Sequence, residues 1–284
     1  MKLKFFVIGI VILIIFSFSV KVDAKEKLMV FCGAAFKQPM EEIIQLFTVK
    51  TKAEVVATYG GVGTLLSQIT LTKLGDVLVV PSSYIMDKAK SKGLLAPVPV
   101  ESFAYVVPAI NVQKGNPRGI TNLKDLTRPS LRIAIANPEI VFAGMVAAEL
   151  IDKSLTPDEK RMFRKNLITY PEDFSKLATA LVLKNVDAIV GLHNLSQLYP
   201  DKVDTIKLRI NEIQRIGNGQ VGILSHSKAI PLAEKFRNFM TSRESNAIFA
   251  KYHYFATSQD AFAWIGAKKA IGGESPASAD WFED

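Results

Sequence analysis

The sequence predicts an α/β fold in which two Rossmann-like lobes are joined by a two-strand hinge. Strand and helix patterns alternate through residues 27–92 and again through residues 132–192. This order is typical of mostly parallel sheets flanked by helices. A long extended segment, residues 103–112, separates the two sets. Each set therefore forms one lobe, and the extended segment is the first crossing between them.

The first set begins with a short apolar run, residues 27–32, which is typical of a buried strand. Residues 40–48 then repeat apolar positions with the period of a helix. Two more strand–helix pairs follow in the same order. The complete set has strands at residues 27–32, 54–58 and 76–80 and helices at residues 40–48, 64–71 and 84–92.

The second set follows the extended segment, which Pro108 interrupts and a Gly115-Asn116-Pro117 turn ends. Apolar and β-branched runs again alternate with helical periodicity. The predicted strands are residues 132–136, 167–170, 188–192 and 220–225, and the predicted helices are residues 142–152, 173–183, 229–241 and 243–252.

The chain is expected to cross between the lobes near residues 103–107 and to return near residues 217–221. Lobe 1 then contains both ends of the α/β region. Residues 268–284 contain Gly272-Gly273 and Ser275-Pro276 and predict a loosely held end. The resulting division is lobe 1 at residues 25–105 and 218–257, lobe 2 at residues 106–217 and a C-terminal tail at residues 258–284.

The first 24 residues have the pattern of an export signal. Lys2 and Lys4 precede an apolar stretch at residues 5–16, and the segment ends on the small residue Ala24. The apolar stretch is shorter than the ~20 residues that a membrane-spanning helix needs. We therefore expect a signal peptide at residues 1–24 and a periplasmic mature protein. An uncleaved N-terminal anchor is the alternative.

Composition argues against several other classes of protein. Basic residues outnumber acidic ones by 35 to 27 but are scattered, which disfavours a nucleic-acid partner. The single cysteine, Cys32, excludes an intrachain disulfide and is expected to be a buried thiol, with lipidation as the alternative. The three histidines have no metal-ligand spacing, and no catalytic motif is present. We expect a monomer that is not an enzyme and binds no cofactor or metal.

The informative feature is a strand followed by a small-residue turn and a helix. It occurs four times, at residues 32–36, 60–63, 137–141 and 170–173. A helix start leaves backbone N–H groups unpaired at the positive end of its dipole. Several such starts around one cleft make an anion site, and small residues let an anion approach. Packing alone also explains such turns, and Phe36, Phe142 and Phe174 beside them can be core residues.

The chain resembles the periplasmic molybdate- and tungstate-binding proteins of ABC importers. The similarity spans residues 27–255 and is carried by separate motifs that are weak singly and specific together. These motifs are Val30-Phe31-Cys32-Gly33-Ala34-Ala35-Phe36 with Met40, residues 59–69 (YGGVGTLLSQI), Gly75-Asp76-Val77 with Met86-Asp87, Asn137-Pro138-Glu139 with Ala143-Gly144, and Ile248-Phe249-Ala250-Lys251-Tyr252. The resemblance implies a type II periplasmic binding protein that holds an oxyanion between its lobes.

The resemblance also implies which residues bind, and here the sequence departs from the family. Ala35 and Val62 stand where the family pattern has serines, and the position of its tyrosine falls near Gly191. Thr64, Ser82, Ser83 and His193 can replace the missing donors, and Lys37 can add charge at the rim. The implied ligand-binding residues are Ala34, Ala35, Phe36, Gly61, Val62, Gly63, Thr64, Val141, Phe142, Ala143, Phe174 and His193.

The function expected from these observations is capture of a small oxyanion, similar to molybdate or tungstate, for an ABC permease in the inner membrane. A small organic or phosphorylated anion is the alternative ligand. Transport, sensing through a membrane receptor and adhesion all remain open, because each can use the same fold.

Overall fold

The computed structural model describes residues 25–277 and Trp281. The predicted signal peptide, residues 1–24, lies outside these residues. Across the part of the chain that is described, no helix has both the length and the apolar character needed to cross a membrane.

Eleven strands and ten α-helices make up the described structure. The strands are β1 Lys27–Gly33, β2 Glu54–Gly60, β3 Val77–Val80, β4 Glu101–Val106, β5 Pro108–Gln113, β6 Ile133–Ile135, β7 Leu167–Thr169, β8 Ala188–Leu192, β9 Val203–Ile206, β10 Arg215–Ile223 and β11 Ala270–Ile271. The helices are α1 Lys37–Thr51, α2 Val62–Thr72, α3 Ser83–Ser91, α4 Phe142–Ser154, α5 Pro157–Asn166, α6 Phe174–Val182, α7 Leu195–Leu198, α8 Ile230–Met240, α9 Arg243–Lys251 and α10 Ser258–Ile265. Short 3-10 helices occupy Ala34–Phe36 and Leu123–Thr127.

The strands form two sheets, one in each lobe, which confirms the predicted fold class. The lobe 1 sheet has the order β11-β10-β3-β1-β2, and β4 also pairs with β10. Its β1, β2 and β3 are parallel, and β10 is antiparallel to β3 and β4. The lobe 2 sheet has the order β7-β6-β8-β5-β9, in which β6 is parallel to β7 and β8.

The two sheets are linked at Val107, near the first expected crossing, and at residues 207–214, which precede the return expected near residues 217–221, because residues 217–221 already pair within β10 of the lobe 1 sheet. The extended segment divides at Val107: β4 belongs to lobe 1 and β5, which begins at Pro108, belongs to lobe 2. Proline has no N–H to donate and so marks a natural end of a ladder. The chain returns between β9 and β10. Tyr105 and Phe255 exchange backbone hydrogen bonds of 2.8 and 3.2 Å beside the first crossing.

An aromatic cluster fills the centre of lobe 1. The Phe36 ring is fully buried and lies 5.1 Å from Phe103 and 5.4 Å from Tyr254, centre to centre. Phe249 completes the cluster at 4.7 Å from Phe103. Burying each such ring contributes about 1.5–3 kcal/mol, and tilted contacts add to this. The cluster therefore fixes the start of α1 against the closing helix α9.

Five strands and α-helices of the described structure are absent from the sequence-based prediction: α5, α7 and β9, together with α10 and β11 of the C-terminal region. The signal for α5 was present, because Thr156 and Glu159 form a capping box and Pro157 occupies the first turn. Helix α7 and strand β9 have four residues each, which is too short for periodicity to predict them.

The C-terminal region also differs from the predicted loose tail. Thr257 and Asp260 form a capping box at the start of α10, and β11 pairs with the beginning of β10. Ile265 and Trp281 are buried with residues of lobe 2. The glycines of this region allow positive φ angles at Gly272 and Gly273, so they shape a turn instead of loosening the chain.

Candidate functional site

A small cavity of about 10 Å³ lies where the lobes meet. This volume is at the lower limit of what one water molecule needs. Residues of both lobes line it: Gly33, Ala34, Ala35, Gly60, Val62 and Pro81 from lobe 1, and Val141, Phe142, Ala143 and Phe174 from lobe 2. We refer to this cavity and its walls as the cleft.

The topology explains why these residues meet. Gly33 and Gly60 end the parallel strands β1 and β2, and Pro81 follows β3. In lobe 2, the turns before α4 and α6 follow the parallel strands β6 and β7. The carboxyl ends of parallel strands share one edge of a sheet, and ligands of open α/β sheets bind there. The two such edges face each other across the cleft.

Three helix starts at the cleft lack a side-chain cap, as do those of α7 and α8 elsewhere in the described structure. Gly61 before α2 and Val141 before α4 offer no side-chain cap, nor does Gly33 before the 3-10 turn. Away from the cleft, α3, α5, α9 and α10 are capped by Ser82, Thr156, Ser242 and Thr257 respectively. First-turn N–H groups have no acceptor within their own helix. At the cleft they are therefore left for another partner.

Helix α6 is the capped member of the cleft. Asp173 accepts a hydrogen bond of 2.8 Å from the Lys176 backbone N–H. This cap uses the third N–H group of the helix. The first two, those of Phe174 and Ser175, are not used by the cap.

The lobes touch directly at the glycine-rich turn. The Gly63 N–H donates to the Ile140 carbonyl of lobe 2 at 2.8 Å. A Cβ atom placed on Gly61 would lie 2.3 Å from the Glu172 carbonyl oxygen. Real Cβ atoms do not approach this closely, so only glycine fits at residue 61 when the lobes are in contact.

The cleft walls are apolar and carry no charged side chain. Lys37, expected at the rim, lies 4.0 Å from Glu41 and 5.7 Å from the centre of the Tyr59 ring. Beneath the wall, burial raises the pKa of the Cys32 thiol well above its usual range, so this thiol stays protonated. Among the described residues, no cluster of His, Cys, Asp and Glu could hold a metal ion. The arrangement offers backbone dipoles and apolar surface.

Seven of the twelve predicted ligand residues line the cleft: Ala34, Ala35, Val62, Val141, Phe142, Ala143 and Phe174. Gly61 and Gly63 form the contact between the lobes. Phe36 lies in the aromatic cluster of lobe 1, and Thr64 is exposed on α2. Gly33, Gly60 and Pro81 also line the cleft without being among the predicted ligand residues, although a glycine at the end of a strand is the signal by which the first two can be found.

His193 lies at the hinge. Its ring is buried, its Nδ1 accepts from the Val107 N–H at 3.2 Å, and its Nε2 is 2.9 Å from the His253 carbonyl oxygen. It stacks on Phe255 with ring centres 4.4 Å apart. Burial lowers the pKa of His193 to about 4, so the imidazole is neutral near pH 7. Its contacts hold the crossing at Val107.

The two serines that could replace lost donors are also engaged elsewhere. Ser82 donates to the Glu274 carboxylate at 2.5 Å, and Ser83 lies 3.4 Å from the same carboxylate. Their hydroxyls therefore serve the C-terminal region of the chain.

The sequence of the chain is similar to those of known proteins. A family model described as bacterial extracellular solute-binding protein matches residues 28–255. The sulfate-binding protein of Synechococcus elongatus is 31% identical over 241 residues, which cover 77% of this chain and 68% of that protein. A molybdate-binding protein of Mycobacterium tuberculosis is 29% identical over 114 residues. This second match covers 40% of the chain and 43% of the relative, less than half of its length.

Solved structures share the fold at low sequence identity. The sulfate-binding protein SubI of Mycobacterium tuberculosis has a TM-score of 0.73 at 15% identity and covers 87% of this chain and 93% of its own. The Azotobacter vinelandii periplasmic molybdate-binding protein has a TM-score of 0.71 at 17% identity, covering 81% and 99%. The Actinobacillus pleuropneumoniae protein AfuA, with fructose-6-phosphate bound, has a TM-score of 0.70 at 17% identity, covering 92% and 93%.

Proposed function

The chain belongs to the family of bacterial extracellular solute-binding proteins, and we propose that it binds a small anion in the cleft for delivery to an ABC permease. The observation that carries this proposal is the meeting of uncapped helix starts from both lobes at one cavity. Such starts hold anions through N–H groups and the helix dipole, without a basic side chain.

Energetics favour an anion over a neutral solute at these positions. Each helix start carries roughly half a positive charge, and the apolar walls keep the local dielectric low. Hydrogen bonds to a charged group contribute about 1.5–3 kcal/mol each. An uncharged ligand gains less from the same donors.

The ligand class that we propose is a small oxyanion similar to molybdate or tungstate. The family resemblance supports it, as do the names of the relatives, although one relative is named for molybdate and another for sulfate. Ala35 and Val62 lack the hydroxyls of the family pattern, and each lost hydroxyl removes about 1.5–3 kcal/mol of binding free energy. We therefore expect weak binding of molybdate itself.

A small organic or phosphorylated anion is the second candidate, and the cleft walls favour it. Val62, Phe142 and Phe174 are buried apolar side chains at the cavity. When the lobes part, these side chains can contact the carbon skeleton of a ligand whose anionic group binds the helix starts. The aromatic and aliphatic surfaces then contribute through burial.

Binding proceeds by closure of the lobes about the two crossings. In the open form, the anion meets the N–H groups of one lobe. Closure brings in those of the other lobe and excludes water, which strengthens each hydrogen bond. The small residues at 61 and 63 permit the final approach.

Titration calorimetry on residues 25–284 tests the proposal. The ligands are molybdate, tungstate, sulfate, phosphate, a sugar phosphate and a small carboxylate. The same sugar without its phosphate group is the uncharged control. We expect one class of anion to bind and to raise the melting temperature by mass action. Folded protein that binds none of them contradicts the anion proposal, and binding of the sugar phosphate alone selects the second candidate.

The double variant Ala35→Ser/Val62→Ser tests the oxyanion geometry. Both positions line the cleft, and the two restored hydroxyls should together increase molybdate affinity by about a hundredfold or more. Ala96→Ser, in lobe 1 outside the cavity lining, is the matched control. Equal affinity of the double variant and the wild type would mean that the cleft serves another ligand.

A further inference from the structure

The segment that follows α10 passes from the hinge to lobe 1 and then to lobe 2. We call residues 270–277 together with Trp281 the C-terminal strap. It begins as β11, which pairs in parallel with the start of β10. The Gly272 N–H donates to the Ile216 carbonyl at 2.9 Å, so the strap is attached beside the return crossing.

Glu274 attaches the strap to lobe 1. Its side chain is buried, and its carboxylate accepts from the Ser82 hydroxyl at 2.5 Å and from the Tyr84 N–H at 3.1 Å. The Gly273 N–H donates to the Ser83 hydroxyl at 2.7 Å. Ser82 is the N-cap of α3, so the carboxylate lies at the positive end of this helix. A buried carboxylate needs such partners, and these three residues supply them.

The strap then attaches to lobe 2. The Ala277 N–H donates to the Pro138 carbonyl at 3.1 Å. Pro138 belongs to the same turn as Ile140, which accepts from Gly63 across the cleft. Further along, the buried Trp281 donates from Nε1 to Asp152 of α4 at 3.0 Å.

Arg215 forms an ion pair with lobe 2 and also contacts the C-terminal strap. Arg215 donates to Glu149 of α4 at 2.5 and 2.7 Å, and it also donates to the Gly272 carbonyl. The Glu149 and Arg215 side chains are largely shielded from solvent, which limits screening of their attraction. The start of β11 is therefore fixed to both the hinge strand and lobe 2.

We propose that the C-terminal strap fastens lobe 1 to lobe 2 and that opening of the cleft requires release of one of its ends. Glu274 and Ala277 are three residues apart and can span at most about 11 Å when fully extended. A separation of Ser82 and Pro138 that exceeds this span together with the reach of the Glu274 side chain must break a contact at one end. The role of the strap in ligand exchange rests on the proposed function, whereas its effect on lobe separation does not.

Spin labels on opposite sides of the cleft mouth measure this separation. Ser67→Cys in α2 and Glu139→Cys in lobe 2 line the same surface groove, which has a volume of about 330 Å³. The native Cys32 is buried and does not take up label. The distance distribution is recorded by electron paramagnetic resonance for residues 25–284 without added ligand.

Two variants release the strap from opposite ends, Glu274→Ala at lobe 1 and Trp281→Ala at lobe 2. Loss of the buried contacts should shift the closed-to-open ratio by about tenfold toward the longer distance. Ser275→Ala, an exposed neighbour in the strap, should leave the distribution unchanged. Unchanged distances in both release variants would overturn the proposal, even if one of them is less stable.

Ligand kinetics separate this proposal from the anion proposal. With a ligand found by calorimetry, Glu274→Ala should increase the dissociation rate by about tenfold relative to Ser275→Ala. If no anion binds, the label distances still decide whether the strap fastens the lobes.

Discussion

At the scale of single residues, the cleft depends on positions that carry no side chain or only a methyl group. Gly61 and Gly63 allow two backbones to touch, and Ala34 and Ala143 keep the helix starts accessible. Conversely, His193 acts through a side chain that is present, because it links the crossing at Val107 to the His253 carbonyl. Two substitutions test these roles separately.

Gly61→Leu should abolish ligand binding and leave lobe 1 folded. A Cβ at this position would lie 2.3 Å from the Glu172 carbonyl oxygen, so the lobes cannot close. Calorimetry and circular dichroism measure the two effects. Gly93→Asn is the control, since a Cβ there would meet nothing within 4 Å, the residue lies outside the cleft lining, and asparagine tolerates its positive φ. Wild-type affinity in Gly61→Leu would remove this turn from the site.

His193 should make the protein less stable in mild acid. Its folded-state pKa of about 4 lies below the ordinary value of 6.5, so between these pH values the unfolded chain binds a proton that the folded protein does not. Stability attributable to His193 is therefore present above pH ~6.5 and falls by about 3 kcal/mol as the pH drops to ~4. Protonation at Nδ1 would also remove the acceptor of the Val107 N–H.

Urea denaturation from pH 7 to pH 4 measures this effect. In His193→Gln, the fall in the free energy of unfolding over this range should be smaller than in the wild type by about 3 kcal/mol. Ser275→Ala, which changes an exposed residue that does not titrate, should keep the wild-type pH dependence. Parallel curves for His193→Gln and the wild type would contradict the assignment.

At the scale of elements, helices of this fold begin in different ways. Several away from the cleft, such as α5 and α9, satisfy their first turn with their own Thr or Ser. Two at the cleft, α2 and α4, begin at Gly61 and Val141, which cannot do so. A cap at an exposed helix start typically stabilises a protein by about 1 kcal/mol. Where a helix has no such cap, the N–H groups of its first turn remain available as donors to a ligand.

Val141→Thr should therefore stabilise the protein by about 1 kcal/mol and reduce ligand affinity several-fold. Threonine has nearly the shape of valine, and its hydroxyl can accept from the first turn of α4 in competition with the ligand. Chemical denaturation and calorimetry record both quantities. Thr156→Ala, which removes a cap from α5, should lower stability by a similar amount without altering affinity. Unchanged affinity in Val141→Thr would exclude α4 from binding.

At the scale of the whole molecule, two lobes share one cleft, and the net charge of residues 25–284 is modestly positive. Residues 25–284 contain 32 basic and 26 acidic side chains, scattered over the surface. The field of such a charge attracts anions over distance without forming a binding site of its own. The net charge should therefore affect the association rate of a ligand more than its dissociation rate.

The association rate of the ligand should thus fall several-fold as salt rises from ~0.01 to ~0.15 M, because the Debye length shrinks from ~30 to ~8 Å. The dissociation rate should change little. Stopped-flow fluorescence of the two tryptophans, Trp264 and Trp281, can follow both rates. A rate of association independent of salt would show that the net charge has no part in capture.

Sequence periodicity was sufficient for the α/β order, because buried strands such as β3 and amphipathic helices such as α1 carry strong local patterns. The cleft turns were found because strand ends in such sheets share an edge. The position of His193 at the hinge was not predictable, since it depends on Val107 and His253, far away in the chain. The strap was missed for the same reason: Glu274 looks like a solvated charge until Ser82 and Tyr84 are seen beside it.

The position of β10 has a consequence for synthesis of the protein. This strand lies between β3 and β11 and also pairs with β4, although nearly all of lobe 2 precedes it in the chain. The first half of the polypeptide therefore lacks a central member of its own sheet while it emerges from the ribosome. Such late, non-local pairing slows folding. A chain that cannot complete the lobe 1 sheet until its last third is made stays incompletely folded for longer during its synthesis.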